Sequence, residues 1–298
     1  MIEIVIVSGK GGTGKTTVAA SLALLASKNG FKVVAADTDV DAPNLALLIN
    51  GERAGYKIVQ VSEKAFIDKG KCSDCGKCME VCKFDAIRND GEKYIVNSLY
   101  CEGCGLCKIV CPVDAIEIRP VDNGEIITIQ TDYGFPLVMG HLKIGESGSG
   151  KVVSEVKEEA RNLAKIVNPD FLIVDGPPGS GCAAIASISG ANFVVTVTEP
   201  TMAAKHDVGR IISIINHFGI PFGMIINKYD IFPEMTSELS NYVEEAGGVL
   251  LGKIPVDENV VRAIVNKKAI VDYAPSSSAS RALTRIFSKL MEILNSGG

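Results

Sequence analysis

Histidine is scarce in this chain of 298 residues: His141, His206 and His217 are its only copies. They are scattered, and none is assigned to chemistry. Long apolar runs are missing too. No stretch reaches the length needed to span a bilayer, so no stable membrane insertion is expected. Nor is positive charge in excess. The formal net charge is -5, which argues against nucleic acid as the main partner. Residues 1–7 are apolar but run straight into a glycine-rich loop, as a first strand does and a signal peptide does not, so a cytoplasmic protein is expected. What is plentiful is core material. Hydrophobic residues make up 47% and charged residues 22% of the chain, enough for one large or two modest domains.

Cysteine is abundant but unevenly placed. Eight of the nine cysteines fall in two copies of one pattern, Cys72-Cys75-Cys78-Cys82 and Cys101-Cys104-Cys107-Cys111. Both copies have the spacing C-x2-C-x2-C-x3-C. Pro112 follows the second, whereas Lys83 takes that place in the first. The flanks repeat as well, with Asp85-Ala86-Ile87 after one run and Asp114-Ala115-Ile116 after the other. Three-residue cysteine steps suit metal ligation better than disulfides. Zinc is the more serious alternative, since paired Cys-x2-Cys steps bind it. The triple step with a fourth cysteine is the spacing of bacterial two-cluster [4Fe–4S] ferredoxins. A repeat this short does not bury a core of its own, so bound clusters are expected to supply cohesion.

The N-terminus carries the second motif. Gly9-Lys10-Gly11-Gly12-Thr13-Gly14-Lys15-Thr16-Thr17 is a phosphate-binding loop. Its glycines let the backbone curl around phosphate with N–H groups inward. Lys15 reaches the terminal phosphates, the Thr16 hydroxyl holds Mg²⁺, and the following helix adds its positive dipole end. Around this loop strands and helices alternate. Strands are expected at 2–7, 32–36, 171–174, 193–197, 222–226 and 250–254, and helices at 15–29, 152–166 and 203–217. The pattern implies a doubly wound, mostly parallel α/β P-loop NTPase sheet built from residues 1–60 and 120–298. An α+β dicluster ferredoxin domain at 61–119 interrupts it. Asn123-Gly124, between Ile118 and the apolar run 126–129, reads as the turn of a small β-ribbon.

Lys10 sets the loop apart. The run Lys-Gly-Gly-Thr-Gly-Lys-Thr resembles the deviant phosphate loop of the MinD family of ATPases, which also includes ParA, the nitrogenase iron protein and the Mrp-type cluster carriers. The likeness extends over most of the chain outside the insert. It implies a homodimer closed across two nucleotides, with Lys10 acting in trans on the partner's ATP. It also implies that Asp37 orients the attacking water, with Asp39 as its competitor. Asp41 would lie near the Mg²⁺ shell. Asp175, which ends the run Phe-Leu-Ile-Val-Asp, would hold Mg²⁺ through water, and Gly176-Pro177-Pro178-Gly179 would be the second switch. Asn227 would read adenine through its side-chain amide. Asn227-Lys228-Tyr229-Asp230 also matches the guanine motif N-K-x-D, so ATP is favoured while Asp230 keeps GTP open. In two-cluster ferredoxins the fourth cysteine of each run binds the other cluster. That assigns Cys72, Cys75, Cys78 and Cys111 to one cluster, and Cys82, Cys101, Cys104 and Cys107 to the other. The whole resembles MinD-superfamily ATPases containing an inserted ferredoxin domain.

Three further features are read as structural. The segment 145–151 resembles a second phosphate loop, but Val152 stands where the Mg²⁺ hydroxyl belongs and no strong apolar strand leads directly in. Cys182 is read as a buried thiol near the second switch, in preference to a ligand of a shared inter-subunit cluster. The C-terminal helix, with Leu283, Ile286, Phe287, Leu290 and Leu294 on one face, closes the domain in this reading. The expected activity is slow, Mg²⁺-dependent ATP hydrolysis that gates electron transfer through the insert to an unknown acceptor. Delivery of iron–sulfur or metal cofactors to a client protein is one alternative. Positional regulation of the ParA or MinD kind, with clusters as a redox sensor, is the other.

Overall fold

The computed structural model describes residues 1–146 and 148–296. Its contacts gather into two compact units, Met1–Tyr56 with Ile126–His141 and Ser149–Gly298, and Lys57–Glu125 with Leu142–Gly148. The chain opens with β1 (Ile2–Ser8), α1 (Lys15–Lys28), β2 (Val33–Asp37), α2 (Leu45–Ile49) and β3 (Gly51–Val59). The cysteine-bearing stretch holds β4 (Ser62–Ile67), α3 (Lys77–Val81), β5 (Ile87–Asn89), β6 (Tyr94–Val96), α4 (Leu106–Ile109) and β7 (Ile116–Val121). Next come β8 (Gly124–Thr131), β9 (Pro136–Leu142), α5 (Ser149–Val167), β10 (Phe171–Pro178), α6 (Cys182–Ile188) and β11 (Phe193–Thr198). The chain finishes with α7 (Met202–His217), β12 (Phe222–Asn227), α8 (Pro233–Glu245), β13 (Val249–Ile254), α9 (Glu258–Val265), α10 (Ile270–Tyr273) and α11 (Ser278–Ser296).

Nine strands form one sheet in the order β13-β12-β11-β1-β10-β2-β9-β8-β3. The pairs from β13 through β9 are all parallel. A parallel sheet is covered on both faces, so its strands are continuously apolar. In β1, Ile4 and Ile6 enter the core with α1, α10 and α11, while Val5 and Val7 face the other way and are buried too. Leu283, Ile286, Phe287 and Leu290 of α11 are buried in that same core, and Leu294 packs against it. The C-terminal helix therefore closes this unit. Among the described residues no helix is long and apolar enough to cross a membrane.

The order of strands matters for the site. β10 fills the gap between β1 and β2, with Ile6 opposite Asp175 and Asp175 opposite Asp37. The carboxyl ends of three adjacent strands thus finish together where the phosphate loop begins, the usual ligand position in such sheets. Gly14 lies in the left-handed region (φ 92) at the N-terminus of α1. At the far end the Phe31 N–H reaches the Ala26 carbonyl across left-handed Gly30, a helix stop of the Schellman kind.

In the second unit β4 pairs antiparallel with β7, and β5 with β6. The two cysteine runs repeat in backbone as well as sequence. Gly76 and Gly105 take left-handed conformations ahead of α3 and α4, and Asp85 and Asp114 do so after the fourth cysteines. Cys78, Cys101 and Cys107 belong to the core here, beside Ala65, Ala86, Ile87 and Ile116.

The β-ribbon expected at Asn123-Gly124 does not form. β7 pairs with β4, whereas β8 lies in the large sheet. Neither Asn123 nor Gly124 has the positive φ of a type I′ turn. Asn123 is buried instead, and its polar atoms are all engaged. Its Oδ1 accepts from the Val61 and Ser62 amides (2.8 and 2.9 Å), its Nδ2 donates to Ser62 Oγ and Glu146, and its backbone bonds to Val59 and Lys143. Replacing Asn123 by Ala removes the acceptor of two half-buried amides. We expect a loss of about 2 kcal/mol, since each such group costs roughly 1 kcal/mol, the low end of the buried range. A urea titration followed by circular dichroism measures it, and an unchanged midpoint contradicts the role.

Candidate functional site

A cavity of about 630 Å³ opens at the carboxyl ends of the central strands, a volume suited to a nucleotide. Gly11, Gly12, Gly14, Lys15, Thr16 and Thr17 form its floor, Ser8, Asp39, Asp41 and Asn44 its polar rim, and Pro177 and Pro178 a further wall. Ala42, Leu47, Leu48, Ala183 and Ile264 make an apolar side that sequence reading missed. Nothing in the sequence distinguishes those residues from ordinary core.

Lys15 is the centre of charge. Its Nζ donates to Asp175 Oδ1 at 2.8 Å and lies 3.6 Å from Asp39 Oδ2, with the side chain only 7% exposed. Burial lowers the lysine pKa, but Asp175, Asp39 and Asp37 outweigh it and hold the group above its ordinary value. The loop is tied down at both ends. Ser8 Oγ donates to the Lys10 carbonyl, and the Gly179 N–H to the Ser8 carbonyl, which joins the loop to the Pro177-Pro178 segment. Gly9 packs so closely on α7 that a Cβ there would sit 2.6 Å from Asp207.

Asp37, expected to orient the attacking water, is not among the residues that line the cavity. It is fully buried, and its carboxylate accepts the amides of Asp39, Asn44 and Leu45, so that it anchors the turn into α2. Burial, followed by the nearby Asp175 charge, raises its pKa to about 7 against the opposing amide donors. The residue two positions on, Asp39, is the one turned toward Lys15 and the cavity; burial raises its pKa as well. Asp41 lines the rim and is exposed.

Asn227 is likewise not a cavity wall. Its Nδ2 donates to the Thr13 carbonyl (2.8 Å) and its Oδ1 accepts from the Lys228 amide (3.0 Å). It therefore buttresses the phosphate loop, and a Cβ on Gly14 would strike it at 2.5 Å. Asp230 is taken up by the Val256 amide. Lys10 also stays outside the cavity, 3.4 Å from Glu199. Cys182, expected buried, is exposed at the start of α6. The look-alike segment 145–151 follows a real strand, β9, missed in the sequence because Pro136, Gly140 and His141 break its apolar run. Its Ser147 lies outside the described residues.

The eight repeat cysteines line two cavities in the other unit. Cys72, Cys75, Cys78 and Cys111 surround one small cavity, and Cys82, Cys101, Cys104 and Cys107 surround the other, each of about 20 Å³. The fourth cysteine of each run crosses to the other run's cavity. Backbone amides point at the sulfurs: Ala65 N–H to Cys101, Ala86 to Cys82 and Ala115 to Cys111, at 3.2–3.4 Å. Burial pushes the Cys78 and Cys107 thiols up, and repulsion from neighbouring cysteines adds to it. Among the described residues, no three such side chains converge closely enough to hold a single metal ion.

A parallel sheet whose first strand runs into a glycine loop and helix, with carboxylates on the adjoining strand ends, defines a P-loop nucleotide-binding protein. Residues 4–270 match the family described as CobQ/CobB/MinD/ParA nucleotide binding domain, and the chain belongs to that family. An uncharacterized protein of Methanocaldococcus jannaschii is 36% identical over 295 residues, covering 99% of this chain and 98% of its own. An iron-sulfur cluster carrier protein of Pyrococcus horikoshii is 24% identical over 316 residues, covering 99% of this chain and 89% of its own. Among solved structures, the septum site-determining protein MinD complexed with Mg-ADP, from Pyrococcus horikoshii, aligns at a TM-score of 0.61 and 19% identity, covering 100% of this chain and 98% of its own. That last likeness speaks for the fold.

Lys15→Met leaves Asp175 and Asp39 facing each other without a cation. Stripping one partner from a buried pair costs about 3 kcal/mol or more. Asp37 and Asp39 have raised pKa values, so protonation relieves the repulsion as pH falls. The deficit in nucleotide-free protein should therefore be smaller at pH 5 than at pH 8. Denaturant midpoints of wild type and variant at the two pH values check it, and a deficit that grows on acidification contradicts the assignment.

Proposed function

We propose that this chain is an ATP-hydrolysing iron–sulfur protein that works as a homodimer, with nucleotide gating electron transfer through the cysteine unit. The observation that carries the reading is the sorting of eight cysteines, four and four, into two cavities beside amide donors, in a chain that also holds a phosphate loop. The donor set fits [4Fe–4S] clusters better than zinc. Sulfur ligands of a cluster stand apart at its corners, whereas a zinc ion draws them onto one point. Cys72, Cys75, Cys78 and Cys111 would hold one cluster, and Cys82, Cys101, Cys104 and Cys107 the other. When bound, the clusters supply one-electron redox chemistry. In this reading the cysteine unit is a ferredoxin-like insert in the ATPase.

The phosphate side divides its work among named residues. Lys15 neutralises the terminal phosphates, and the loop amides cradle them. The Thr16 hydroxyl and Asp175 would hold Mg²⁺; the buried Asp175 Oδ2 has no hydrogen-bond partner among the described residues, which suits a metal-bound water. Asp39, not Asp37, is the carboxylate in position to orient an attacking water. Lys10, outside its own cavity and paired with Glu199, would serve the nucleotide of a second copy. ATP is favoured over GTP because Asp230, which would have to read guanine, is spent on the Val256 amide.

Anaerobically purified protein should carry about eight irons and eight sulfides per chain. Cys111→Ser should perturb the same paramagnetic centre as Cys72→Ser, and Cys82→Ser the other. Stoichiometric zinc without labile sulfide contradicts the assignment. Lys10→Ala should bind ATP yet fail to hydrolyse it. Cluster potentials should differ between the ADP and ATP states; about 30 mV in a one-electron couple corresponds to roughly 0.7 kcal/mol of coupling.

A second reading, cluster delivery to a client, is favoured by the likeness to an iron-sulfur cluster carrier protein. Incubation with an apo-ferredoxin separates the two. Transfer of iron and sulfide that depends on ATP supports delivery, and retention of both clusters through turnover supports electron transfer.

A further inference from the structure

Glu199 follows β11 and immediately precedes Pro200. Its side chain is 15% exposed and shared by two ammonium groups. Lys10 Nζ lies 3.4 Å from Oε2, and Lys228 Nζ lies 2.5 Å from Oε1. Neither lysine lines the nucleotide cavity. Lys228 holds a left-handed backbone (φ 53) directly after Asn227, whose amide group accepts the Lys228 N–H and donates to the Thr13 carbonyl. Both oxygens of Glu199 are therefore wired to the phosphate loop, one through Lys10 and one through Lys228, Asn227 and Thr13.

The geometry points to Glu199 as a positioning residue that keeps Lys10 beside its own loop and yields it to the nucleotide of a second copy, with Lys228 as the counter-charge that stays. The inference rests on the in-trans role of Lys10. Its physical basis is the inequality of the two contacts. Both lysines are partly exposed, Lys10 34% and Lys228 42%, but the Lys10 contact is longer by 0.9 Å, at 3.4 against 2.5 Å, so it is the pair that competing phosphate displaces first. Losing Lys10 with no second cation would leave a mostly buried carboxylate unpaired, which is costly. Lys228 removes that penalty and lets Lys10 leave. The two lysines then have opposite effects. Glu199 restrains Lys10, and Lys228 loosens the restraint by competing for the same carboxylate.

The test measures dimerisation of the whole chain with Mg²⁺ and a non-hydrolysable ATP analogue by sedimentation, together with steady-state ATP hydrolysis. Glu199→Gln should tighten dimerisation roughly five-fold and raise hydrolysis, while Lys228→Met should loosen dimerisation roughly five-fold, the scale of a partly exposed ion pair. In a Lys10→Ala background, Glu199→Gln should change nothing. A merely structural role lowers both variants together. Equal effects of one sign, no effect in either variant, or a Glu199→Gln gain that survives Lys10→Ala overturns the inference. If Lys10→Ala itself dimerises and hydrolyses like wild type, the in-trans reading falls, and this inference with it. If Lys10→Ala is inactive while the other two match wild type, only the restraint by Glu199 falls.

Discussion

Asp37 and Asp175 lie opposite each other on neighbouring parallel strands, both fully buried. Paired strands are about 5 Å apart, and like charges at that separation repel by roughly 3 kcal/mol at an effective dielectric of about 20. The fold resolves this in two ways. The Asp39 amide and two amides at the start of α2 satisfy Asp37, and the buried Lys15 ammonium pairs with Asp175 Oδ1. The first solution fixes the turn that brings Asp39 to face the cavity. The second pulls the start of α1 against β10 and so shapes the phosphate loop. Phosphate and Mg²⁺ would compete for the same charges, which makes this cluster the natural place for a nucleotide to act on the switch segments.

The cysteine unit obeys another constraint. Its strands are three to six residues long within β4 to β7, and its core is filled partly by sulfur. So small an apolar core gives little hydrophobic stabilisation. Cohesion has to come from hydrogen-bonded hubs such as Asn123 and from whatever the eight thiols bind. That dependence gives metal loading a thermodynamic link to folding.

The sequence made the central strands legible because burial on both faces forces continuous β-branched runs, as in Ile-Glu-Ile-Val-Ile-Val. At the edge opposite β13, β3 escaped notice for the opposite reason. β3 exposes most of its residues and carries Glu52, Arg53 and Lys57, so no apolar pattern betrays it. Asn123-Gly124 looked like a hairpin because a dipeptide reports local preference, while tertiary hydrogen bonds to Val61, Ser62 and Glu146 decide the outcome. At the site, glycine and lysine spacing located the phosphate loop, since backbone curvature has a short-range signature. The roles of Asp37 and Asp39 were not separable by spacing. They stand two residues apart, and only the chain's turn after β2 decides which of them meets Lys15.

The order of elements along the chain bears on how two chemistries would communicate. The turn carrying Asp39 and Asp41 leads through α2 and β3 into the cysteine unit, and the last segment of that unit leads into α5 and then β10, which ends near Asp175 and the Pro177-Pro178 wall. Both switch segments are therefore one or two elements from the cysteine unit in sequence. A nucleotide that binds two arrangements of these segments unequally must bias whatever the cysteine unit does differently in those arrangements, and by linkage a redox partner or client that prefers one arrangement must change nucleotide affinity by the same factor. Any such coupling would be bounded by differential contacts at Lys15, Asp39 and Asp175. It is to those residues, more than to the cysteines, that variation in coupling strength should trace.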